Sequence, residues 1–219
     1  MLNSRGFVLC YSQAFYNFKF MFITFEGIDG SGKTTQSNLL ADHLKQIRGE
    51  DNVVLTREPG GTEFAEKIRG VLLTNNIDPI SELLLFIAMR HEHMEKLILP
   101  ALQEGKIVIC DRFIDSTIAY QGYGLGVDLR LIRKLHKLAE IKYPNITFIL
   151  DIDVNIGLNR AKDKNKYEAM DVNFYNKVRK GFQKVAKEEP NRCRIITAIE
   201  IKDNNQVHPK IIESLSKIP

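Results

Sequence analysis

The chain has 219 residues, 44% of them hydrophobic and 26% charged, and its formal net charge is +4 at pH 7. This length suits one domain, and the composition is ordinary for a soluble globular protein. Because the charge is mild and no block of lysine and arginine occurs, we expect no nucleic-acid partner. No apolar run approaches the roughly 20 residues that cross a bilayer, so we also expect no membrane partner.

The cysteines and the first 20 residues indicate the cellular compartment of the protein. Three cysteines, odd in number and scattered, are Cys10, Cys110 and Cys193. They form neither a disulfide framework nor a metal-ligand spacing, which fits a reducing cytoplasm. Residues 1–20 lack an export signal, because the apolar run Phe7 to Tyr11 is too short. We expect them to be an extension without function, disordered or non-native, and residues 21–219 to form a single domain.

From Met21 onward, short apolar runs alternate with amphipathic segments of helical period. The predicted strands are Phe22 to Glu26, Val53 to Thr56, Ile107 to Cys110, Thr147 to Asp151 and Arg194 to Thr197. The predicted helices are Lys33 to Arg48, Thr62 to Leu73, Ile80 to Leu99, Ser116 to Tyr120, Asp128 to Lys142, Val154 to Ala161, Glu168 to Glu188 and Val207 to Ser216. This order predicts an α/β fold in which helices cover both faces of a five-stranded parallel sheet. Ligands bind such sheets beyond the carboxyl ends of the strands.

A phosphate-binding loop follows the first strand, because residues 27–34 match G-x-x-x-x-G-K-[ST] between a predicted strand and a predicted helix. Its glycines let backbone N–H groups point inward, and the helix adds the positive end of its dipole. Lys33 can reach the β- and γ-phosphates, and the Thr34 hydroxyl can ligate Mg²⁺. We predict that a nucleoside triphosphate binds here through Gly27, Ile28, Asp29, Gly30, Ser31, Gly32, Lys33 and Thr34.

Charged side chains follow the second and third strands, at the same edge of the predicted sheet. Arg57 suits a phosphate or a carboxylate, although the turn from Thr56 to Thr62 is also explained as the cap of the next helix. Asp111 ends its strand as a Walker-B acid does and can hold Mg²⁺ through water. Arg112 can clamp a second phosphate. The alternative is that this acid and this base only solvate a strand end.

The predicted helix Ile80 to Leu99 allows two interpretations of one face. Phe86 and Arg90 are four residues apart, so a ring and a guanidinium there could stack on a base and bond its edge. In so apolar a stretch, however, an aromatic side chain such as Phe86 usually belongs to the core. Its position in the sequence alone does not show whether it packs in the core or stacks on a base. His91-Glu92-His93 resembles a metal pattern, but its two histidines point to different sides of a helix, and we do not expect a metal there.

A basic segment, residues 160–168, links two predicted helices. Such a run is usually a solvated loop, but in a phosphate-loop enzyme it can be a lid that supplies cations and excludes water. Asn165 to Glu168 also resembles the guanine-reading N-K-x-D of GTPase switches. It follows a helix rather than a strand, and the chain has no D-x-x-G beyond the phosphate loop, which disfavours a switch.

Taken together, these motifs resemble those of thymidylate kinases and occur in the same order. They are FEGIDGSGKTTQ, TREPGGT, LLLFIAMR, DRFIDSTIAYQG, ITFILDID and the basic segment, and the resemblance covers Met21 to the C terminus. It implies phosphoryl transfer from Mg·ATP to dTMP, giving dTDP and ADP. It also implies the P-loop NTPase fold with a five-stranded parallel sheet and a short lid, usually in a homodimer.

The resemblance implies roles for the matching residues. Arg57 and Arg112 resemble the clamp on the dTMP phosphate. Phe86 resembles the residue that stacks on thymine, and Arg90 the donor to its O4. Asp29 matches an acidic position that faces the 3′-hydroxyl of dTMP. The rest of the base and sugar pocket is implied to be Ser116, Thr117 and Gln121.

The implied catalytic groups are Asp29, Lys33, Arg112, Arg160 and Lys166, and the implied Mg²⁺ ligands are Thr34 and Asp111. Family members whose phosphate loop lacks an arginine, as Gly30 shows here, normally supply arginines from the lid. Arg160 remains in this lid, but the later position is Lys166, a point charge that cannot form a bidentate fork. We therefore predict that Lys166→Ala lowers kcat much more than it raises the KM for dTMP.

The nearest alternative is another nucleoside or nucleotide kinase, such as a deoxynucleoside kinase, which shares the phosphate loop and an Asp-Arg pair. A nucleoside acceptor has no phosphate, so Arg57 and Arg112 would lack a shared ligand. Thymidine and dTMP offered side by side distinguish the two.

Overall fold

The computed structural model describes residues 20–161, 167, 170–198 and 207–217. Within these, five parallel strands form one sheet in the order β2-β3-β1-β4-β5. The strands are β1 Met21–Glu26, β2 Val53–Arg57, β3 Ile107–Asp111, β4 Ile146–Asp151 and β5 Cys193–Thr197. The predicted parallel sheet is confirmed, with every strand end within one residue of its prediction.

Helices flank the sheet. They are α1 Lys33–Arg48, α2 Glu63–Thr74, α3 Pro79–His93, α4 Leu99–Gln103, α5 Ile114–Thr117, α6 Leu129–Leu138, α7 Val154–Arg160, α8 Val172–Glu188 and α9 Val207–Ser216. Two π-helical stretches occur, Met94–Ile98 between α3 and α4 and Ile118–Gly124 after α5. Among the described residues, no helix is both long enough and apolar enough to cross a membrane.

Capping side chains decide two helix starts. The Thr62 hydroxyl accepts a hydrogen bond from Ala65 N at 3.2 Å, so Thr62 caps α2 as predicted. The helix predicted from Glu168 begins instead at Val172, because the Asp171 side chain accepts from the α8 backbone at 2.7 Å. That start was predicted wrongly, since the acid ends the lid rather than continuing the helix.

Other helix ends also differ from the prediction. The helix predicted to reach Lys142 is α6, which ends at Leu138, because Glu140 adopts a left-handed φ of 52°. The helix predicted to end at Leu99 continues through a π turn to the end of α4. The helix predicted from Ser116 begins earlier, at Ile114.

The central strand β1 places the phosphate loop in the middle of the sheet edge. Phe22, Ile23 and Phe25 are buried, and each such side chain contributes about 1.5–3 kcal/mol of burial free energy. From β1 the chain runs first to β2 and β3 on one side, and then to β4 and β5 on the other. This reversal beside β1 opens a crevice at the carboxyl ends of the strands, where ligands of such sheets bind.

Candidate active site

A cavity of about 690 Å³ opens at the carboxyl ends of β1, β2 and β3, and its volume is in the range of ligand sites. The predicted site residues that line it are Asp29, Gly30, Gly32, Lys33, Thr34, Arg57, Phe86, Arg90, Asp111, Arg112, Ser116, Thr117, Gln121 and Arg160. Lining residues that were not predicted include Glu58, Pro59, Arg69, Phe113, Tyr120 and Tyr167. Most of the predicted site therefore comes together in one place.

Three predicted loop residues, Gly27, Ile28 and Ser31, do not line the cavity. Ile28 is buried, and its carbonyl oxygen accepts a hydrogen bond from Lys33 Nζ at 2.8 Å. Burial and, next, the nearby Arg112 guanidinium lower the pKa of Lys33 to about 8. The ammonium is thus folded back onto its own loop, and it is mostly charged near neutral pH.

Thr34 and Asp111, the predicted Mg²⁺ ligands, are in direct contact. Thr34 Oγ1 donates a hydrogen bond to Asp111 Oδ2 at 2.5 Å. Asp111 Oδ1 is buried and has no hydrogen-bond partner within the described residues. One carboxylate and one hydroxyl suit Mg²⁺, which keeps waters and substrate phosphate oxygens as its other ligands. The pair therefore fits the ion, although the described part of the chain has no cluster of three or more His, Cys, Asp or Glu ligands.

Arg112 is held against the phosphate loop. Its φ of 68° is uncommon for a residue other than glycine, and its backbone N donates to Phe25 O at 2.9 Å. Nη1 donates to Gly27 O at 3.0 Å, and Nη2 forms an ion pair with Asp29. The guanidinium carbon also lies 5.2 Å from the centroid of the Tyr120 ring. The predicted clamp on the acceptor phosphate thus contacts the predicted donor loop.

Asp29 joins the loop to two tyrosines. Its Oδ2 accepts hydrogen bonds from Tyr120 Oη at 3.0 Å and from Tyr175 Oη at 3.1 Å. Burial by itself raises the pKa of Asp29, but Arg112, Lys33 and the two hydroxyls outweigh it and lower that pKa to about 2. The carboxylate is therefore ionised at neutral pH.

Arg57 lines the cavity but is bound within its own segment. Its Nη2 lies 2.9 Å from Glu66 Oε1, and its Nη1 donates to Pro59 O at 2.9 Å. Arg69 donates to the same carbonyl at 2.6 Å, so a second guanidinium lies beside Arg57. Because a half-exposed ion pair contributes little free energy, Arg57 can exchange Glu66 for a phosphate at small cost.

Arg90 is almost completely buried and is bound by four groups. Nε donates to Glu58 Oε2 at 2.7 Å, and Nη2 donates to Phe113 O at 3.1 Å. Nη1 donates to Thr117 Oγ1 at 2.9 Å and to His136 Nε2 at 2.6 Å. Burial and the Arg90 charge lower the pKa of His136 to about 3, so this imidazole is neutral and accepts. The guanidinium is therefore fixed before any ligand binds.

His91 and His93 point in different directions, as expected from their spacing. His93 is buried, and its Nδ1 lies 3.2 Å from Glu58 Oε1. His91 Nδ1 lies 3.1 Å from Ala139 O. His93 therefore supports the carboxylate that holds Arg90.

Ser116 is bound to Glu26, a buried carboxylate that was not predicted. Ser116 Oγ donates to Glu26 Oε2 at 2.5 Å, and Arg112 Nη1 donates to Ser116 Oγ at 3.2 Å. Burial and, next, the Asp115 carboxylate raise the pKa of Glu26 to about 7. Glu26, at the end of β1, thus fixes Ser116 and, through Ser116, Arg112.

The helical and lid walls complete the cavity. Phe86 is partly buried, packs on core side chains and also lines the cavity, and its stacking on a base stays a prediction. Arg160, the last residue of α7, and Tyr167 line the cavity from the predicted lid. Lys166 lies outside the described residues, as does the N-terminal segment 1–19.

The sequence profile of the family described as thymidylate kinase matches residues 25–211 of this chain. The chain belongs to the thymidylate kinase family. It is 81% identical over 196 residues to the thymidylate kinase of Wolbachia pipientis wMel, covering 90% of this chain and 100% of that relative. It is 56% identical over 203 residues to the thymidylate kinase of Ehrlichia chaffeensis, with coverage of 90% and 100%.

A solved structure agrees with this assignment. The crystal structure of thymidylate kinase from Ehrlichia chaffeensis is similar with a TM-score of 0.78 and 52% identity, covering 90% of this chain and 98% of that one. The predicted membership of the thymidylate kinase family and the predicted fold are confirmed, and the chain is a kinase. The roles of single residues stay predictions.

Sequence reasoning missed several lining or supporting side chains. Tyr120 lies inside the motif DRFIDSTIAYQG, and Glu58 directly follows Arg57 in the motif TREPGGT. Both motifs follow a strand, so this placement could have marked the two residues as candidates for the site. Tyr175 contacts Asp29 across 146 positions of sequence, and no local pattern marks such a contact.

Proposed function

We propose that this chain transfers the γ-phosphoryl group of ATP to dTMP, giving dTDP and ADP. The observation that carries this proposal is a single cavity shared by the phosphate loop and a wall of aromatic and hydrogen-bonding side chains. Arg112 links the two parts, because its Nη1 donates both to Gly27 O in the loop and to Ser116 Oγ in the wall. A donor phosphate and an acceptor phosphate then meet at one guanidinium.

The donor half is the phosphate loop with its following helix. Backbone N–H groups of residues 27–34 bind the phosphates, and Lys33 leaves the Ile28 carbonyl to reach the β- and γ-phosphates. Thr34 and the free oxygen of Asp111 would hold Mg²⁺, which supplies positive charge to the phosphate oxygens when it is bound.

The acceptor half holds dTMP by its phosphate, sugar and base. Arg112 and Arg57 bind the phosphate, and the ionised Asp29 accepts from the 3′-hydroxyl. Phe86 stacks on the base and Arg90 donates to its O4. Ser116, Thr117 and Gln121 complete the pocket. The buried hydrogen bonds of Arg90 hold this geometry ready, which lowers the entropic cost of binding.

Transfer then requires alignment more than covalent chemistry. An oxygen of the dTMP phosphate is already ionised, so the reaction needs no general base. Lys33, Arg112 and Arg160 bring positive charge to the transferring group, with Lys166 as the further lid cation. The low pKa of Asp29 keeps its carboxylate paired with Arg112 throughout the neutral range.

We further propose a cytoplasmic homodimer that uses Mg²⁺. A dimer is supported by apolar side chains that α2 and α3 leave exposed, namely Phe64, Val71, Ile80 and Leu84. Cys110 and Cys193 are buried free thiols, which suits a reducing compartment. Sedimentation equilibrium measures the dimer directly, and a monomer at micromolar concentration would contradict it.

The acceptor specificity tests the proposed function. ADP release is measured with ATP and Mg²⁺ against dTMP, thymidine and the other nucleoside monophosphates. We expect kcat/KM at least about 100-fold higher for dTMP than for thymidine, because only dTMP offers a phosphate to the arginine clamp. A preference for thymidine would indicate a nucleoside kinase. GTP hydrolysis that needs no acceptor would indicate a switch.

A further inference from the structure

Glu82 is a buried acid beside the proposed base pocket that the proposed reaction does not use. It lies on α3, and only 2% of its surface is exposed. Because Glu82, Phe86 and Arg90 are spaced four residues apart on one helix, they share a face, and the last two line the cavity. A buried carboxylate is costly unless its oxygens are hydrogen-bonded, so its partners indicate its role.

The described partners of Glu82 include one amide and one hydroxyl. Gln121 Nε2 donates to Glu82 Oε1 at 2.8 Å, and Tyr167 Oη donates to the same oxygen at 2.6 Å. Gln121 Nε2 also lies 3.0 Å from Tyr167 Oη, which accepts from it. Both hydrogens of the Gln121 amide are therefore used away from the ligand.

These contacts fix which way the Gln121 amide faces. The Gln121 nitrogen Nε2 lies 2.8 Å from Glu82 Oε1 and 3.0 Å from Tyr167 Oη, so the NH₂ end of the amide faces Glu82 and Tyr167. The carbonyl oxygen Oε1 then lies on the other side of the amide, and it receives no hydrogen bond within the described residues. Gln121 lines the cavity, so it offers a ligand an acceptor and no donor.

Arg90, which lines the same cavity, can offer a hydrogen-bond donor. A guanidinium has five N–H donors, and four of those of Arg90 are taken by Glu58, Thr117, His136 and Phe113. One hydrogen on Nη2 has no partner among the described residues. Thr117, which binds Arg90, and Gln121 lie four residues apart on one helical stretch, and Arg90 and Gln121 both line the cavity.

We propose that Glu82 is a positioning residue that sets base specificity by locking the Gln121 carbonyl toward the cavity. A donor beside an acceptor matches a ring carbonyl next to a ring N–H, the O4 and N3–H edge of thymine or uracil. Cytosine presents an amino group next to an unprotonated nitrogen, so it leaves both protein groups unpaired. This inference rests on the proposed function for the identity of the ligand.

The variant Glu82→Gln tests the inference. Its new amide can donate to Gln121 Oε1, so the Gln121 side chain can turn and present its NH₂ to the ligand. Calorimetric Kd values are measured for dUMP and dCMP, which differ only at the base edge in question. We expect the ratio Kd(dCMP)/Kd(dUMP) to fall at least about tenfold in this variant. A merely structural role would weaken both ligands equally, and an unchanged ratio in the folded variant overturns the inference.

Two further variants test whether the selectivity depends on the Glu82 carboxylate itself. Glu63→Gln makes the same change on an exposed residue of α2 and should leave the ratio as in the wild type. Tyr167→Phe removes the hydroxyl but keeps the carboxylate, so most of the selectivity should remain. An equal loss in Tyr167→Phe would move the role from Glu82 to the hydroxyl and contradict the proposal. If Glu82→Gln does not fold, Glu82→Asp withdraws the carboxylate by one methylene and should lower the ratio too.

Failure of the inference is distinguishable from failure of the proposed function. The Kd ratio needs no turnover, whereas the proposed function is judged by ADP release with dTMP. If the wild type phosphorylates dTMP but Glu82→Gln leaves the ratio Kd(dCMP)/Kd(dUMP) unchanged, only the role of Glu82 is refuted. A wild type that binds neither dUMP nor dTMP removes both.

Discussion

At the residue scale, Gly30 shapes the chemistry of the phosphate loop. Its φ is +73°, and a Cβ placed there would come 2.0 Å from the carbonyl oxygen of Gly157, in the middle of α7. An arginine at this position therefore does not fit unless α7 moves. In the proposed reaction, the cations for the transferring group then come from Lys33, Arg112 and the predicted lid.

Lys33 is the residue whose loss should be most damaging. We expect Lys33→Ala to lower kcat about 100- to 1,000-fold, because it removes a preorganised charge from the phosphate oxygens. The lowered pKa of Lys33, about 8, adds a pH dependence: kcat/KM for ATP should fall as the pH rises through that value and the ammonium loses its proton. Steady-state kinetics from pH 6.5 to 9.5 measure both effects.

The control for Lys33 is Lys67→Ala, which removes an exposed ammonium on α2. It should keep normal turnover and the same pH profile. Near-normal turnover of Lys33→Ala would refute the assignment of the donor site.

At the scale of elements, two described residues of the predicted lid, Arg160 and Tyr167, line the cavity. Arg160 ends α7 at one end, and Tyr167 is buried at the other, with ring centroids 6.4 Å from Phe174 and 5.4 Å from Tyr120. Aromatic contacts of this kind contribute about 0.5–1.5 kcal/mol each beyond burial. Tyr167 is thus held by α8 and by the stretch Ile118–Gly124.

The lid prediction concerns Lys166, which precedes the buried Tyr167. Lys166→Ala should lower kcat about 10- to 100-fold while changing the KM for dTMP much less, because its charge acts in the transition state. Lys177→Ala on the exposed face of α8 is the matched control and should behave as the wild type. An unchanged kcat in Lys166→Ala would remove that lysine from the mechanism.

The elements and the strand ends were largely predictable from the sequence, whereas several helix ends were not. Apolar runs located the five described strands. The pattern is continuous in β1, β3 and β4, which are buried on both faces, whereas the edge strands β2 and β5 are partly exposed. The start of α8 was missed because Asp171 was counted as helix when its side chain caps one. The π stretch Ile118–Gly124 has no sequence pattern of its own, since its register is set by packing against α8.

At the scale of the whole molecule, the site combines what motifs predict with what only the fold provides. The residues after each strand were found because parallel strands end at one edge. Their supports were not, because Glu26, Glu82 and Tyr175 contact the site across 39 to 146 positions of sequence. Phe86 shows the limit most clearly, since one partly buried ring serves both core and cavity.

The buried acid Glu26 makes the stability of the whole fold depend on pH. Its pKa is raised from 4.5 to about 7 by burial and by Asp115, so the folded state binds a proton that the unfolded state releases. The stabilisation is therefore fully present below about pH 4.5 and is lost as the pH rises through 7. We expect the free energy of unfolding of Glu26→Gln, relative to the wild type, to increase between pH 5 and pH 8.

Urea unfolding at a series of pH values measures that difference. Glu63→Gln, an exposed acid, should show a constant offset from the wild type over the same range. A constant offset for Glu26→Gln as well would show that Glu26 does not carry the extra proton.

The central claim is that donor and acceptor phosphates meet in one cavity for direct transfer. The most direct measurement follows the label from [γ-³²P]ATP in the presence of Mg²⁺ and dTMP, with the products separated by ion exchange. We expect the label to appear in the β-phosphate of dTDP in step with ADP release. Label found in inorganic phosphate, or in dTMP made from added thymidine, would contradict it.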